Sequence, residues 1–380
     1  VEAEAATEEL GKASWEIRQV EKSEVSRVPR PPFITSTMQQ EAAHRLRFSA
    51  RQTMSLAQRL YEEGLITYHR TDSTNLAKEA LAAVRNLVKS YYGEEFLPEK
   101  PIFYKVRSKV AQEAHEAIRP TEVSLTADDK KVTDLGRESR RLYELIWRRF
   151  VASQMRSALF DRTEVEVEAI AEKNIYTFSA TGRLMKFAGW TRVYEQSKVG
   201  RPSTDGEDMV LPDLGPAEEL ALLDLKSEQK FTQAPPRYTE AALIRALEER
   251  GIGRPSTYAP ILSTIEVRQY VEKVEGRFQP TSLGTTVNDF LIEFFPKVFD
   301  YDFTAKMEAD LDDIANGKRE WVPVVRDFYQ PFNDRLTGVY QAAERVQVPT
   351  EATGQTCPKC GQGQVVIRVG RFGNFLACSR

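Results

Sequence analysis

One short stretch of the chain combines a phenol, a guanidinium and a carboxylate in a spacing that suits chemistry on a phosphate. Tyr68 lies between Gly64, which should end one helix, and Ser73, which can begin the next. On an extended connector Tyr68 and Arg70 would point to the same side, and Asp72 could hold Arg70 in place. A phenol, with a pKa near ~10, is a weak nucleophile at neutral pH, and a neighbouring guanidinium would favour the phenolate and stabilise a phosphate under attack. From residue types alone, a half-buried loop tyrosine beside a surface arginine is the commoner alternative.

Two further segments could act on an anion. His115 lies in the string AHEAIRPT, and a histidine, with a pKa near ~6.5, could tune charge at neutral pH, although a structural histidine is more common. Residues 249–259 read ERGIGRPSTYA, in which glycines allow close backbone approach and a helix should begin at Ser256. Free amides there, together with Arg254 and Thr257, would form an anion site. A helix cap with a solvated arginine is the alternative.

All three cysteines lie close to residue 380. Cys357 and Cys360 have CxxC spacing, and Cys378 follows 17 residues later. A zinc ribbon needs two such pairs, so the pattern predicts an incomplete zinc site, with the fourth ligand expected beyond residue 380. An odd cysteine count does not fit a secreted disulfide framework, and it favours a reducing, cytoplasmic location.

Composition permits a nucleic-acid partner without indicating one. The chain has 380 residues, enough for two to three domains on the usual ~150-residue prior, and a net charge of −3. Arginines nevertheless cluster within residues 45–59 and 137–149, where solvated helix faces are the alternative to binding sites. No long apolar run is present, so we expect no membrane association.

The elements that must position Tyr68 are expected to be helices across residues 34–157. Apolar residues recur there at helical spacing, and glycines and hydroxyl residues mark the ends. The expected landmarks are a helix cap at Thr35 or Ser36, a helix end at Gly64, a second cap at Ser73 or Thr74, and a helix over 142–155.

Strands are expected next, followed by a second helical region. Residues 163–170 alternate strictly between apolar and acidic side chains, which predicts a half-buried antiparallel strand, and 176–178, 184–187 and 220–225 should be further strands. A helix beginning after Thr239, a tight turn, a helix to about Val267 and a hairpin over 270–278 follow the order of a winged helix, with plain helical packing as the alternative. Residues 310–313, DLDD, are interpreted as surface charge on an amphipathic helix.

Three strings carry a family resemblance. GLITYHRTDSTNLA, residues 64–77, closely resembles the active-site signature GLITYMRTDSTNL of the bacterial type IA DNA topoisomerase I family, and AHEAIRPT and RGIGRPSTYA resemble two other segments of that family. The resemblance implies that Tyr68 is the nucleophile, Arg70 a catalytic and DNA-contacting residue, and His115 a supporting catalytic residue. His69 replaces the usual methionine, and we expect its side chain to point away from Tyr68. The DNA-binding residues implied are Arg70, Asp72, Arg254, Ser256, Thr257 and Arg268.

The fold implied is multidomain α+β, part of the type IA topoisomerase torus plus a partial zinc ribbon. The domains expected are the first part of a β-rich arch (1–33), the helical domain with Tyr68 (34–157), the remainder of the arch (158–232), part of a helical DNA-gripping domain (233–345), and a linker with a truncated zinc ribbon (346–380).

The resemblance also implies an activity and partners. We expect ATP-independent cleavage of one DNA strand through a 5′-phosphotyrosine, strand passage and religation, which relax negative supercoils. The Mg²⁺-binding Toprim domain cannot be assigned in this chain, so the chain alone should be inactive; Zn²⁺ would involve Cys357, Cys360 and Cys378. A monomer acting on single-stranded DNA at the bacterial nucleoid is expected. The alternatives are a non-catalytic single-stranded DNA-binding module and a tyrosine recombinase or relaxase, whose arginine or histidine sets are not visible.

Overall fold

A computed structural model describes residues 2–104, 116–194, 210–343, 348–370 and 373–380. Helical bodies and antiparallel sheets alternate along these ranges, so the mixed helix and sheet class is confirmed. Within them, no helix has both the length and the apolar character needed to cross a bilayer.

The first sheet joins segments that are far apart in sequence. Its strands, β1 (Ser14–Arg27), β2 (Ala158–Ile170), β3 (Ile175–Phe187) and β4 (Glu219–Leu220), are antiparallel in the order β3-β2-β1-β4. The strand expected over 163–170 is therefore confirmed within a longer β2.

Two strand predictions were wrong in extent. The pieces expected at 176–178 and 184–187 form one strand, because β3 pairs with β2 continuously from Ile175 to Met185 and Gly182 lies opposite Thr163. Its ladder of hydrogen bonds outweighs the weak strand preference of a single glycine. The strand expected over 220–225 shortens to Glu219–Leu220, which is the length that pairs with β1.

The helical body around Tyr68 has a core beside the tyrosine and a second, separate buried cluster. Its helices are α2 (Thr35–Leu46), α3 (Ala50–Glu62), α4 (Lys78–Tyr91), α5 (Lys130–Thr133) and α6 (Arg137–Ser153), with the short α1 (Glu2–Leu10) before it and α7 (Thr191–Tyr194) after it. Phe33, Met38, Leu60 and Ile146 are among the side chains fully buried in that core.

α2 begins at Thr35, but its cap is a different residue from the one expected, and the start of α4 shifts. Ile34, not Thr35 or Ser36, is the N-cap of α2, because the Thr35 hydroxyl bonds to a different segment. The helix expected from Ser73 or Thr74 begins only at Lys78, since the Ser73 hydroxyl accepts the Asn75 N–H within a turn instead of capping a helix.

The second helical body contains the expected helix, turn, helix and hairpin. It comprises α8 (Glu240–Glu249), α9 (Tyr258–Val267), β5 (Val271–Val274), β6 (Arg277–Pro280), α10 (Ser282–Phe294), α11 (Tyr301–Ala315) and α12 (Trp321–Ala342). The Thr239 hydroxyl caps α8 as expected. The two bodies share a buried cluster, since Ala50 of α3 packs with Ile244 and Tyr258. A separate three-stranded antiparallel sheet follows, made of β7 (Glu351–Thr356), β8 (Gln364–Gly370) and β9 (Gly373–Cys378).

Candidate active site

Tyr68 lies on a connector that is fixed by main-chain hydrogen bonds. Upstream, the Thr67 N–H donates to the Arg119 carbonyl (2.9 Å) and the Thr121 N–H donates to the Leu65 carbonyl (3.1 Å). These bonds place the end of the AHEAIRPT segment directly beside the connector, so two of the three resembling strings meet here. Downstream, residues 69–71 are bonded to the start of α2.

The Tyr68 ring is exposed, as a nucleophile must be. Its exposed fraction is 45%, although the connector on both sides of it is largely buried. Tyr61, near the end of α3, packs edge-on against it with ring centroids 5.3 Å apart. A polymer phosphate can therefore reach the Tyr68 hydroxyl, while the ring is restrained from the side.

His69 is placed differently from the prediction. Its ring makes an edge contact with Tyr68 at 5.3 Å, so the side chain does not point away from the tyrosine. It is fully buried, and neither ring nitrogen has a hydrogen-bond partner among the described residues. Burial, with a smaller effect from the Arg70 charge, lowers the pKa of His69 to about 4, so the imidazole is neutral at physiological pH.

Arg70 is exposed, and Asp72 does not hold it. The influence of Arg70 on His69 places its positive charge close to the aromatic group. In the described ranges no ion pair joins Asp72 to Arg70, so that interpretation was wrong. Asp72 instead lies close enough to Tyr258 to contribute, after burial and other groups, to raising the pKa of that phenol to about 12. The start of α9 and the Tyr68 connector therefore face a common region.

The segment after His115 is structural. His115 itself lies outside the described residues. Arg119 forms a two-point ion pair with Glu116 (2.6 and 3.0 Å). The Glu116 carboxylate also accepts the Ala77 N–H (2.8 Å), which ties the start of α4 to this segment.

Arg254 is positioned by carboxylates. Its guanidinium contacts Asp312 (2.5 Å) and Glu308 (3.8 Å) on α11, and it donates to the carbonyl of Gly253. The surface-charge interpretation of residues 310–313 was therefore wrong for Asp312, which is half-buried and paired. The two carboxylates compensate the Arg254 charge in this arrangement, so a phosphate would have to compete with them.

The other predicted DNA-binding residues lie around α9. Thr257 is half-buried, and its hydroxyl accepts the Arg254 N–H (2.8 Å). It is the N-cap of α9, so the helix begins at Tyr258 instead of at Ser256. Ser256 is exposed at this helix start, and Arg268 is exposed at the opposite end of α9. The two ends of the helix separate Arg268 from the other three, so the structure brings together residues 254, 256 and 257 only.

The three cysteines come together as predicted. Their sulfur atoms lie within 4.8 Å of one another, and this is the single group of three or more candidate metal ligands in the described ranges. Hydrogen bonds from backbone N–H groups, including that of Gly363, lower the pKa of Cys360 to about 7. A side chain at Gly363 would collide with the Cys378 sulfur. A preformed group of three sulfur atoms fits zinc, and the triad could bind it.

Two residues of the site were missed from the sequence. Tyr61 carried only a helical apolar signal, and its contact with Tyr68 depends on the bend at Gly64, where φ is +69°. Thr35 was predicted as a helix cap, and no local pattern connects it to residues 69–71, more than thirty positions away. Such contacts follow from tertiary structure alone.

Comparisons with known proteins agree with one another. The family model described as DNA topoisomerase matches residues 1–326. The chain is 41% identical over its whole length to DNA topoisomerase 1 of Rickettsia felis, covering 51% of that protein, and 45% identical to DNA topoisomerase 1 of Vibrio cholerae, covering 42%. The full-length topoisomerase I of Thermotoga maritima superimposes on 99% of the chain with a TM-score of 0.78 and 32% identity, and 60% of that protein is covered. The chain thus spans about half the length of the curated relatives it matches.

Proposed function

This chain belongs to the DNA topoisomerase family, and from that membership we propose that it supplies the nucleophile of a type IA enzyme. In this proposal the Tyr68 hydroxyl oxygen attacks a phosphodiester of a single DNA strand. The bond from phosphorus to the 3′-oxygen breaks, a 5′-phosphotyrosine forms, and the 3′-oxygen takes up a proton as the phenol proton is lost. The reverse attack by the 3′-hydroxyl restores the strand, and the ester conserves the bond energy so that no ATP is needed.

The observation that carries the proposal is the exposed Tyr68 ring on a rigid connector. Arg70, exposed two residues later, would stabilise charge on the phosphate under attack. His115 would order this site. Asp72, Arg254, Ser256, Thr257 and Arg268 would contact the DNA, which requires phosphate to displace the carboxylates that now surround Arg254.

Other parts of the protein would complete the reaction. We propose that Mg²⁺ is bound by Toprim carboxylates outside residues 1–380. The Asp310 and Asp312 pair is no substitute, since each is joined to an arginine. Between cleavage and religation, residues 1–33 and 158–232 would act as an arch that lifts to pass the other strand. Residues 34–157 would carry the nucleophile, and residues 233–345 would grip DNA. Residues 346–380 would carry the zinc ribbon. The enzyme would act as a monomer at the nucleoid.

A second candidate is a non-catalytic single-stranded DNA-binding module. The order α8, α9, β5 and β6 favours it, because helix, helix and hairpin are the layout of a winged helix. Both candidates predict binding that weakens as salt rises. Only the first predicts a covalent bond to DNA.

Adduct formation separates the two. The chain is incubated with a single-stranded oligonucleotide labelled at its 3′ end, with and without a Toprim domain from a relative and Mg²⁺, and then denatured. We expect a labelled protein band with the complete mixture, none for Tyr68→Phe, and a band for the matched control Tyr61→Phe, whose ring lies 5.3 Å away. The chain alone should bind the strand weakly and should not relax plasmid. Binding without an adduct in the complete mixture would favour the module, and an adduct formed by Tyr68→Phe would exclude our nucleophile.

A further inference from the structure

Thr35, the first residue of α2, bonds to the backbone on both sides of Arg70. Its hydroxyl donates to the His69 carbonyl (2.8 Å), with a weaker share to the Thr71 carbonyl (3.1 Å), and it accepts the Thr71 N–H (2.9 Å). The Thr35 N–H also donates to the Thr71 carbonyl (2.9 Å). One residue thus satisfies three main-chain groups that flank Arg70.

These bonds are shielded from water. Thr35 is completely buried, and Thr71 is 2% exposed. Water cannot readily replace a lost partner there, so removing the hydroxyl would leave buried polar groups unpaired and would let the segment move. The Arg70 side chain, in contrast, projects into solvent from between the two bonded residues.

The bonds from Thr35 to residues 69 and 71, here called the clamp, add to the upstream bonds of the connector. Residues 65 and 67 are tied to residues 119–121, so the backbone of Tyr68 is held from that side. The Thr35 bonds hold it from the other. Both the phenol and the guanidinium therefore extend from a backbone that is fixed at each end.

We propose that Thr35 is a positioning residue that sets the reach of Arg70 and Tyr68 toward the scissile phosphate, an inference that rests on the proposed function. Thr35 touches no DNA in this proposal and acts only through the main chain of residues 69–71. A displacement of about 1 Å in a reacting group can reduce a rate by about 100-fold. Loss of the hydroxyl should therefore reduce the cleavage rate much more than DNA affinity.

The test uses Thr35→Val, which keeps the shape and removes the hydroxyl, and Thr35→Ser, which restores the hydroxyl. The matched control is Thr37→Val on the same helix turn, because the Thr37 hydroxyl bonds only locally, to the N–H and carbonyl of Ile34. Three quantities are measured on each 380-residue chain. The first is the amide exchange rate of the peptide around Thr71, which needs no DNA. The second is the single-turnover rate of adduct formation in the complete mixture described above. The third is the affinity for the oligonucleotide.

We expect Thr35→Val to exchange about 5- to 10-fold faster at Thr71 and to form adduct about 10- to 100-fold more slowly, with affinity changed less than about 3-fold. Thr35→Ser and Thr37→Val should stay close to the wild type in exchange rate, adduct rate and affinity. Unchanged exchange in Thr35→Val, or faster exchange with an unchanged adduct rate, would overturn the positioning role. If the wild type forms no adduct, the proposed function fails and the positioning role falls with it, whereas the exchange data still show whether the clamp exists.

Discussion

His69 should make the stability of the chain sensitive to mild acid. Burial lowers its pKa to about 4 from an ordinary value of 6.5. Between these values the unfolded chain takes up a proton at this position and the folded chain does not. Above pH 6.5 the imidazole is neutral in both states, so it does not change the free energy of unfolding. As the pH drops from 6.5 toward 4, the free energy of unfolding falls progressively.

The magnitude follows from the two pKa values. At about pH 5 the unfolded state gains close to 2 kcal/mol relative to the folded state, and at about pH 4 close to 3 kcal/mol. The groups that face the imidazole do not offset this effect. Arg70 disfavours the imidazolium, and the opposing influence of Glu62 is the smallest of the three causes.

The perturbation is His69→Met, which places an unbranched apolar side chain in the same aromatic setting. Urea unfolding of both chains is followed by circular dichroism at about pH 8 and pH 5. The loss in free energy of unfolding between the two pH values is then compared between the chains. Because the other titrating groups are shared, the remaining difference is due to His69. We expect the wild type to lose about 2 kcal/mol more than His69→Met on acidification. The control His44→Gln removes an exposed imidazole from α2 and should follow the wild type.

An equal loss of stability in wild type and His69→Met would refute the reasoning. It would mean that the imidazole accepts a proton in the folded state, and hence that a hydrogen-bond acceptor or water reaches a ring that the structure shows buried without one. A larger loss in His69→Met would reverse the sign and refute it equally.

Three other perturbations have expected outcomes. Asp312→Asn removes the nearest carboxylate from Arg254, so affinity for a single-stranded oligonucleotide should rise by roughly 3- to 10-fold at low salt, measured by fluorescence anisotropy; a fall would contradict the competition. Glu240→Ala removes the carboxylate that accepts the Ala50 N–H (2.6 Å) between the two helical bodies, and it should lower the free energy of unfolding by about 1–3 kcal/mol in urea titrations. Cys360→Ser should weaken zinc binding at least about 10-fold in chelator competition, without altering the helical signal.

Periodicity predicted elements well and their junctions poorly. The apolar spacing that predicted α3 and α8 reflects burial of one helix face, which is a local property of the sequence. The start of α4 could not be predicted in the same way. Ser73 is a good helix cap in isolation, but its hydroxyl is used within a turn, and the N–H of Ala77 is satisfied by Glu116 from a distant segment. Residues 176–178 and 184–187 were likewise predicted as separate strands because their shared pairing with β2 was not visible from local sequence.

In the candidate site, too, some residues could be predicted from local sequence and others depend on tertiary contacts. The side chains that would touch DNA sit in strings that could be recognised, because their chemistry requires particular residue types. Many of the groups that hold the Tyr68 connector are main-chain atoms, and any sequence that folds correctly supplies those. Thr35 and Thr67 are exceptions, because each places a side-chain hydroxyl among main-chain partners, and only the tertiary structure reveals that requirement.

A net charge of −3 is compatible with a DNA partner because positive groups at the candidate site are distributed unequally. Arg70 is exposed beside Tyr68, whereas Arg254 is held by Asp312 and Glu308. Under the proposed function, a phosphate would meet the uncompensated guanidinium first, and binding at Arg254 would require exchange of one set of anionic oxygens for another. Such an exchange gains less Coulomb energy than neutralising a free cation, since two carboxylates lose their partner. Affinity should then be modest and strongly dependent on the number of phosphates engaged.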